Sequence, residues 1–123
     1  RPGMCITEIG AVIQPIVEQA GFSVVRDYCG HGIGAEFHEE PQILHYRNGG
    51  KLELKAGMCF TIEPMVNSKK YHCKVNPKDG WTVTTKDGGD SAQWEHTLLV
   101  TEDGCEVLTL RPDDTIDRLI KHG

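Results

Sequence analysis

The apolar residues near the start of the chain recur at helical spacing. Between residues 6 and 20 they follow one another at steps of three and four, and Gly21 supplies a stop signal directly afterwards. Such a pattern places an apolar stripe along one side of a helix, where it can face a core. We therefore predict one long amphipathic helix over residues 6–20.

Most of the remaining chain alternates between apolar and polar positions, which is typical of strands. In residues 58–63, Met58, Phe60 and Ile62 fall on one face, while Glu63 falls on the other. Comparable runs are separated by turns rich in Gly and Asp, and they cover residues 22–25, 81–85, 92–101 and 105–110. These runs predict an antiparallel sheet whose strands are joined by tight turns.

The last apolar positions predict a second helix. Pro112 is followed by Ile116, Leu119 and Ile120, which would share one side of a short helix. The predicted fold class is therefore α+β, with a mainly antiparallel sheet, one long helix and a short C-terminal helix.

Composition limits the classes of function. With 123 residues, of which 38% are hydrophobic and 25% charged, the chain fits one compact globular domain. A formal net charge of −5 argues against direct binding to nucleic acid or to a membrane surface. No apolar run reaches the roughly 18 residues of a membrane span. The five cysteines show no paired spacing, which favours free thiols in a reducing compartment, so we expect a cytoplasmic protein.

Two glutamates lie in segments that are otherwise predicted to be buried. Glu95 stands inside the apolar run 92–101, and Glu63 ends an alternating strand and is followed by Pro64. A buried carboxylate is costly unless something neutralises it. Three explanations remain open for each of them, namely a metal ion, a retained proton used in acid–base chemistry, or a salt bridge.

Histidines add a matching kind of ligand. His31 lies between two glycines, which allow a sharp turn and leave the imidazole accessible to a metal or a substrate. His38 follows seven residues later, and neither histidine belongs to a zinc-binding HExxH helix. For each of the six histidines, a surface or capping role is the alternative. His31, Glu63 and Glu95 are each 32 residues from the next, so only the fold could join them in a metal site.

Several separated motifs resemble those of the bacterial branch of type 1 methionine aminopeptidases. They occur in that family's order and approximate spacing, and they are Gly30–Gly34, Phe37–Gln42, Thr61–Met65, Asp79–Thr82 and Gln93–Thr97. The resemblance extends over residues 1–123 and implies the C-terminal half of the catalytic domain, with the N-terminal half absent. It also implies a pita-bread fold, in which two pseudo-symmetric halves enclose a dinuclear metal centre.

The resemblance assigns roles to the residues already noted. His31, Glu63 and Glu95 correspond to metal ligands; Glu95 would bridge two ions, while His31 and Glu63 would bind the same one. Glu63 would also accept and relay a proton. His38 would hold the substrate and stabilise the tetrahedral intermediate. The family's other two metal ligands are aspartates in the half that is absent here.

Further correspondences concern the substrate. Phe37 and Trp81 match walls of the methionine side-chain pocket, and the backbone near Ser91 resembles part of a monovalent-cation site found in some members. The implied reaction is removal of the initiator methionine by a hydroxide that bridges two divalent ions, which are Co²⁺, Mn²⁺, Fe²⁺ or Zn²⁺. The implied partners are the N-termini of nascent polypeptides, the ribosome, and the missing N-terminal half, without which the chain is expected to be inactive.

Two other functions are compatible with the same ligands. Proline-specific aminopeptidases share the fold and the ligand types, although the sequences His38–Pro41 and Asp79–Trp81 speak against them. A non-catalytic pita-bread module that binds partners would be expected to lose its ligands. All the ligands expected in this half are present, which favours an enzyme.

Overall fold

The computed structural model describes residues 1–122, which form one helix and eleven strands. Helix α1 spans Thr7–Gln19. The strands are β1 Ser23–Val24, β2 Gly30–Gly32, β3 Glu39–Ile43, β4 Cys59–Ile62, β5 Met65–Asn67, β6 Cys73–Val75, β7 Val83–Thr85, β8 Ser91–Gln93, β9 His96–Val100, β10 Gly104–Val107 and β11 Leu119–Lys121. Within the described residues, no helix is both long enough and apolar enough to cross a membrane.

The strands form three antiparallel sheets. The largest has six strands in the order β11-β10-β9-β4-β2-β3, and the second has the order β1-β5-β8. β6 and β7 form a separate two-stranded sheet. The expected α+β architecture, with a mainly antiparallel sheet and one long helix, is confirmed.

One two-stranded ribbon connects the two larger sheets. β4 pairs with β9, and the last pair is Ile62 opposite His96. After a gap of two positions on each strand, β5 pairs with β8 in the same register. Pro64 lies in this gap, and because proline has no amide proton, it cannot donate a hydrogen bond to the opposite strand. The single strand predicted over residues 92–101 is therefore two strands, and the interruption includes Glu95.

The core lies between the start of α1 and the six-stranded sheet. Its members are Ile6, Ile43, Leu54, Phe60 and Val100, with Met4, Ile9, Met58 and Ile62 packed against them. The predicted apolar face of β4 is confirmed, since Phe60 is buried and both Met58 and Ile62 pack on this cluster. The helix lies very close to the segment after β3, because a methyl group on Gly10 would overlap the Tyr46 carbonyl.

The predicted short C-terminal helix is wrong. Residues 119–121 form β11, which pairs with β10. The segment before it contains a turn, in which Asp114 Oδ2 accepts a hydrogen bond from the Arg111 amide at 2.7 Å. Ile116 and Leu119 are 50% and 56% exposed, so a helix here would bury little apolar surface to stabilise it. Pairing with β10 instead satisfies backbone groups that would otherwise form an open sheet edge.

Candidate metal site

His31 lies at the middle of β2, inside the six-stranded sheet. A methyl group on Gly30 would overlap the Thr61 carbonyl of β4, and one on Gly32 would overlap the Glu40 carbonyl of β3. Neither glycine has a positive φ angle. The two glycines are therefore needed for the close approach of neighbouring strands, rather than for the sharp turn expected from the sequence. The side chain of His31 between them is 12% exposed.

The two glutamates face each other across the gap in the β4–β9 ribbon. Extending the ladder by one pair beyond Ile62 and His96 puts Glu63 opposite Glu95. One carboxylate oxygen of each glutamate and one ring nitrogen of His31 all lie within 4.8 Å of one another. Like charges directly opposite each other destabilise a sheet, so a proton or a bound cation between these two carboxylates would relieve their repulsion.

Hydrogen bonding fixes the orientation of His31. Its Nδ1 is 2.9 Å from the Gly32 carbonyl oxygen, so Nδ1 carries a proton and donates it there. Nε2 faces Glu63 Oε2 at 3.3 Å, and in the neutral ring both atoms are acceptors. A cation, either a proton or a metal ion, must therefore lie between or beside them. A ring N–H bound to a backbone carbonyl is also the usual arrangement of a histidine that ligates a metal, so the donor set fits a divalent ion.

Two buried polar residues hold Glu63 in place. The Thr61 hydroxyl donates to Glu63 Oε2 at 2.7 Å and accepts the His31 amide proton at 3.0 Å. The Glu63 amide donates to His45 Nε2 at 3.1 Å. Burial lowers the pKa of His45, and the nearby Glu63 charge opposes this effect. Sequence reasoning missed both residues; the apolar run 43–46 around His45 is the signal that it is buried.

Glu95 has a raised pKa. The buried segment expected around Glu95 is not found, because residues 91–95 are exposed in this chain. Partial desolvation of the carboxyl is still the largest cause of the raised pKa, followed by the negative charge of Glu63 and a hydrogen bond with it, while His31 acts in the opposite direction. Within residues 1–122, no Lys or Arg side chain forms an ion pair with either glutamate. Of the three explanations open from the sequence, a salt bridge to Lys or Arg is thus ruled out for the described residues, and the one basic partner in reach of Glu63 is His31. A retained proton and a metal ion remain.

Phe37 and His38 lie beside His31. The ring centres of His38 and His31 are 4.2 Å apart, and those of His38 and Phe37 are 4.5 Å apart. Phe37 is 69% exposed. The structure therefore places both residues beside the candidate ligand His31 and leaves one side of the group open to solvent.

Trp81 and Ser91 lie on other elements. Trp81 is in the loop between β6 and β7, where its amide donates to Asp79 Oδ1 at 2.9 Å and the residue is 84% exposed. Ser91 begins β8 and lines an open surface pocket with Phe22 and Val66. Among residues 1–122, no hydrogen bond or ring contact links either residue to the three clustered ligands.

Comparison with known proteins identifies relatives. The chain is 61% identical to methionine aminopeptidase from Escherichia coli K12 over 123 residues, which is 99% of this chain and 46% of that protein. The crystal structure of methionine aminopeptidase from Rickettsia prowazekii superposes with a TM-score of 0.86 at 55% identity, covering 89% of this chain and 45% of that one. The chain thus spans under half the length of the curated relatives that it matches. Both findings confirm the expected resemblance and the pita-bread fold.

A prolidase gives a weaker match. The structure of prolidase from Pyrococcus furiosus has a TM-score of 0.62 at 30% identity, covering 90% of this chain and 27% of that one. Lower identity and a lower TM-score favour the methionine aminopeptidases over the proline-specific enzymes as relatives. Residues 1–102 match the sequence profile of metallopeptidase family M24. Since that match covers most of the chain and includes His31, Glu63 and Glu95, the chain belongs to metallopeptidase family M24.

Proposed function

We propose that this chain supplies one half of the active site of a metal-dependent aminopeptidase that removes the initiator methionine from nascent polypeptides. The observation that carries the proposal is the convergence of His31, Glu63 and Glu95, whose ligand atoms lie within 4.8 Å of one another. The similarity to methionine aminopeptidases supports the same reaction. A non-catalytic module is disfavoured, because every ligand expected in this half is retained.

The three clustered residues would hold the metal. His31 and Glu63 would bind one divalent ion, and Glu95 would bridge that ion and a second one. Such a mixed nitrogen and oxygen set suits Co²⁺, Mn²⁺, Fe²⁺ or Zn²⁺, so availability rather than the ligands decides which is bound. When bound, the pair of ions supplies an activated water and polarises the scissile carbonyl. Glu95 alone cannot complete the second position, so two aspartates from the remaining length of the relatives' sequence are needed.

Glu63 is proposed to be the proton acceptor. As a ligand of the metal it would lie beside the attacking water, and a carboxylate within hydrogen-bond reach can accept the proton and pass it to the leaving amine. The Thr61 hydroxyl fixes the carboxylate, and His45 fixes the backbone of the same residue. These bonds restrict Glu63 to the orientation in which it faces Glu95 and His31.

His38, Phe37 and Trp81 are proposed to act on the substrate. The His38 ring lies 4.2 Å from that of His31, so an imidazole N–H could stabilise negative charge on a substrate oxygen held at the metal. Phe37 and Trp81 would contact the methionine side chain. They are 69% and 84% exposed, which fits pocket walls whose opposite side comes from another part of the enzyme.

The proposal includes the setting of the reaction. The substrates are the N-termini of nascent polypeptides, so the enzyme would act beside the ribosome in the cytoplasm.

A monovalent cation near Ser91 would have a structural role. The surrounding pocket offers oxygen atoms of Ser68, Asp90 and Ser91, and oxygen is the ligand that hard cations prefer.

Methionine release tests the proposal. The chain is mixed with a companion polypeptide that carries the remaining length of the relatives' sequence, and free methionine from a Met-Ala-Ser peptide is measured with Mn²⁺ or Co²⁺. We expect activity from the mixture and none from the chain alone, because an open site does not exclude water and electrostatic stabilisation is weaker there.

The matched control uses another glutamate. Glu95→Ala should abolish the activity of the mixture, whereas Glu102→Ala, an exposed position between β9 and β10, should leave it unchanged. Rapid turnover by the chain alone, or equal activity of the two variants, would contradict the proposal.

A further inference from the structure

Glu95 lies between two residues that are bonded to each other. The Trp94 indole N–H donates to His96 Nε2 at 3.2 Å. An indole nitrogen can only donate, so the neutral His96 carries its proton on Nδ1, which is 3.0 Å from Thr109 Oγ1. The same hydroxyl oxygen accepts the amide proton of Thr97 at 3.0 Å. Glu95 belongs to the proposed metal site. Its neighbour His96 is bonded to Thr109, which follows β10, and its neighbour Trp94 is bonded to His96.

The other end of this connection is the turn over residues 111–114. The guanidinium carbon of Arg111 lies 4.2 Å from the centre of the Trp94 ring, within the range of a cation–π contact. Asp114 Oδ2 accepts the Arg111 amide proton at 2.7 Å, and Oδ1 is 3.5 Å from Arg111 Nη2. The Asp114 amide donates to the Arg111 carbonyl at 3.1 Å. Asp114 thereby holds the arginine at the start of the turn, beside the indole ring.

The sheet itself leaves Glu95 weakly fixed. Glu95 lies in the gap between β8 and β9, where Pro64 on the opposite strand cannot donate a ladder hydrogen bond. Across this gap, Gln93 Nε2 donates to the Glu63 carbonyl at 3.3 Å, and the Glu95 carboxyl itself is hydrogen-bonded only to the Glu63 carboxylate among the described residues. A residue at such a break needs support from outside the ladder if its carboxylate is to stay in one position.

We propose that Trp94, Arg111 and Asp114 are positioning residues for Glu95. Arg111, held by Asp114, covers the Trp94 ring. Trp94 bonds to His96, and these two neighbours would fix the backbone of Glu95 between them. None of the three touches the reacting atoms, so their effect passes through Glu95. The inference rests on the proposed metal site, and it predicts that a surface turn far along the chain controls metal affinity.

A second arginine of the same segment provides a control. Arg118 pairs with Glu106 of β10 at 2.6 Å, and its side chain is 68% exposed, compared with 53% for Arg111. Both arginines are thus exposed side chains near the C-terminal end of the chain that pair with a carboxylate of low exposure, which makes them a matched pair for comparison. Arg118, unlike Arg111, has no contact with the residues that flank Glu95 among residues 1–122.

The experiment is a calorimetric titration of the full 123-residue chain with Mn²⁺, with the stability of each variant measured by urea unfolding. We expect Arg111→Ala to weaken Mn²⁺ binding about tenfold, as loss of outer-shell partners commonly does. Trp94→Phe, which keeps the ring but removes the indole N–H, should weaken binding by a smaller factor. Arg118→Ala should leave the affinity unchanged.

The outcomes distinguish the positioning role of Arg111 from the existence of the metal site itself. Binding that is lost in Glu95→Ala, weakened in Arg111→Ala and unchanged in Arg118→Ala supports the positioning role. Binding that depends on Glu95 but is equal in the two arginine variants overturns that role and leaves the metal site standing. No Mn²⁺ binding by the unaltered chain would overturn both.

Discussion

Glu63 is held by several contacts within the candidate metal site. Thr61 donates to its carboxylate, His45 accepts from its amide, and it faces the ring nitrogen of His31 at 3.3 Å. Thr61 and His31 both contact Oε2 of the carboxylate, and His45 fixes the backbone amide, so the carboxylate is held before any metal or substrate arrives. Preorganisation of this kind reduces the reorganisation needed when charge develops during a reaction.

His38 should affect turnover without affecting metal content. In the reconstituted enzyme, His38→Ala removes a side chain that is proposed to contact the substrate oxygen, and the loss of such a contact commonly costs about 10²-fold in rate or more. Steady-state kinetics measure the rate, and elemental analysis measures the metal. His31→Ala serves as the comparison, because it should lose metal. Substantial metal loss in His38→Ala would show that His38 is itself a ligand.

The sequence marks some site residues and not others, for a physical reason. Glu63 is visible because a charge on a largely buried strand is costly and so needs an explanation. The same argument selected Glu95, but that residue is exposed in this chain, so the premise was wrong there. Thr61 is not visible, since a threonine on the polar face of a strand is ordinary, and its role depends on the neighbouring β2. Their convergence could not be derived from spacings of 32 residues, and it was expected only from the resemblance.

At the scale of elements, the site depends on how closely three strands approach. β2 lies between β3 and β4, and its two glycines leave no room for a side chain towards either neighbour. The gap in the β4–β9 ribbon then provides the place where two carboxylates can face each other. His31 thus lies on a strand, and the two glutamates lie at an interruption in the pairing of the ribbon.

Gly32→Ala should strongly destabilise the fold. The added methyl group would overlap the Glu40 carbonyl, a backbone atom next to Glu39, the residue that pairs with Gly32, so the main chain of β3 itself would have to shift. Overpacking of this kind costs about 1–3 kcal/mol or more in free energy of unfolding. Gly49→Ala is the control, because a methyl group there meets nothing within 4 Å and its φ is not positive. Urea unfolding of both variants measures the difference, and equal stabilities would show that β2 and β3 can separate without cost.

Elements with a strong apolar period were predictable, and elements defined by pairing were not. The helix expected over residues 6–20 is found as Thr7–Gln19, and the alternation in residues 58–63 correctly gave the buried face of β4. β2 and β3 are rich in Gly, Glu and Pro, so they carry little strand signal of their own. The helix predicted for the final segment was wrong for the same reason. Pairing with the edge strand β10 determined the conformation of this segment, and the spacing of its apolar residues did not.

At the scale of the whole molecule, the chain presents one side of a site. His31 and Glu63 are 12% and 16% exposed, whereas Glu95, Phe37 and Trp81 are exposed. Exposed aromatic side chains of this kind commonly mark a surface that is covered by a partner. The remaining length of the relatives' sequence is the partner that we propose, since it would supply both the opposite wall and the two missing ligands.

Anomalous diffraction from crystals of the chain soaked with Zn²⁺ is the most direct test of the metal site. Data collected at the zinc absorption edge locate the ion independently of any catalytic assay. We expect one strong peak, with ligand distances of about 2.0–2.2 Å to His31 Nε2 and to carboxylate oxygens of Glu63 and Glu95. Peaks confined to other residues, with these three side chains turned away from one another, would contradict the proposed site.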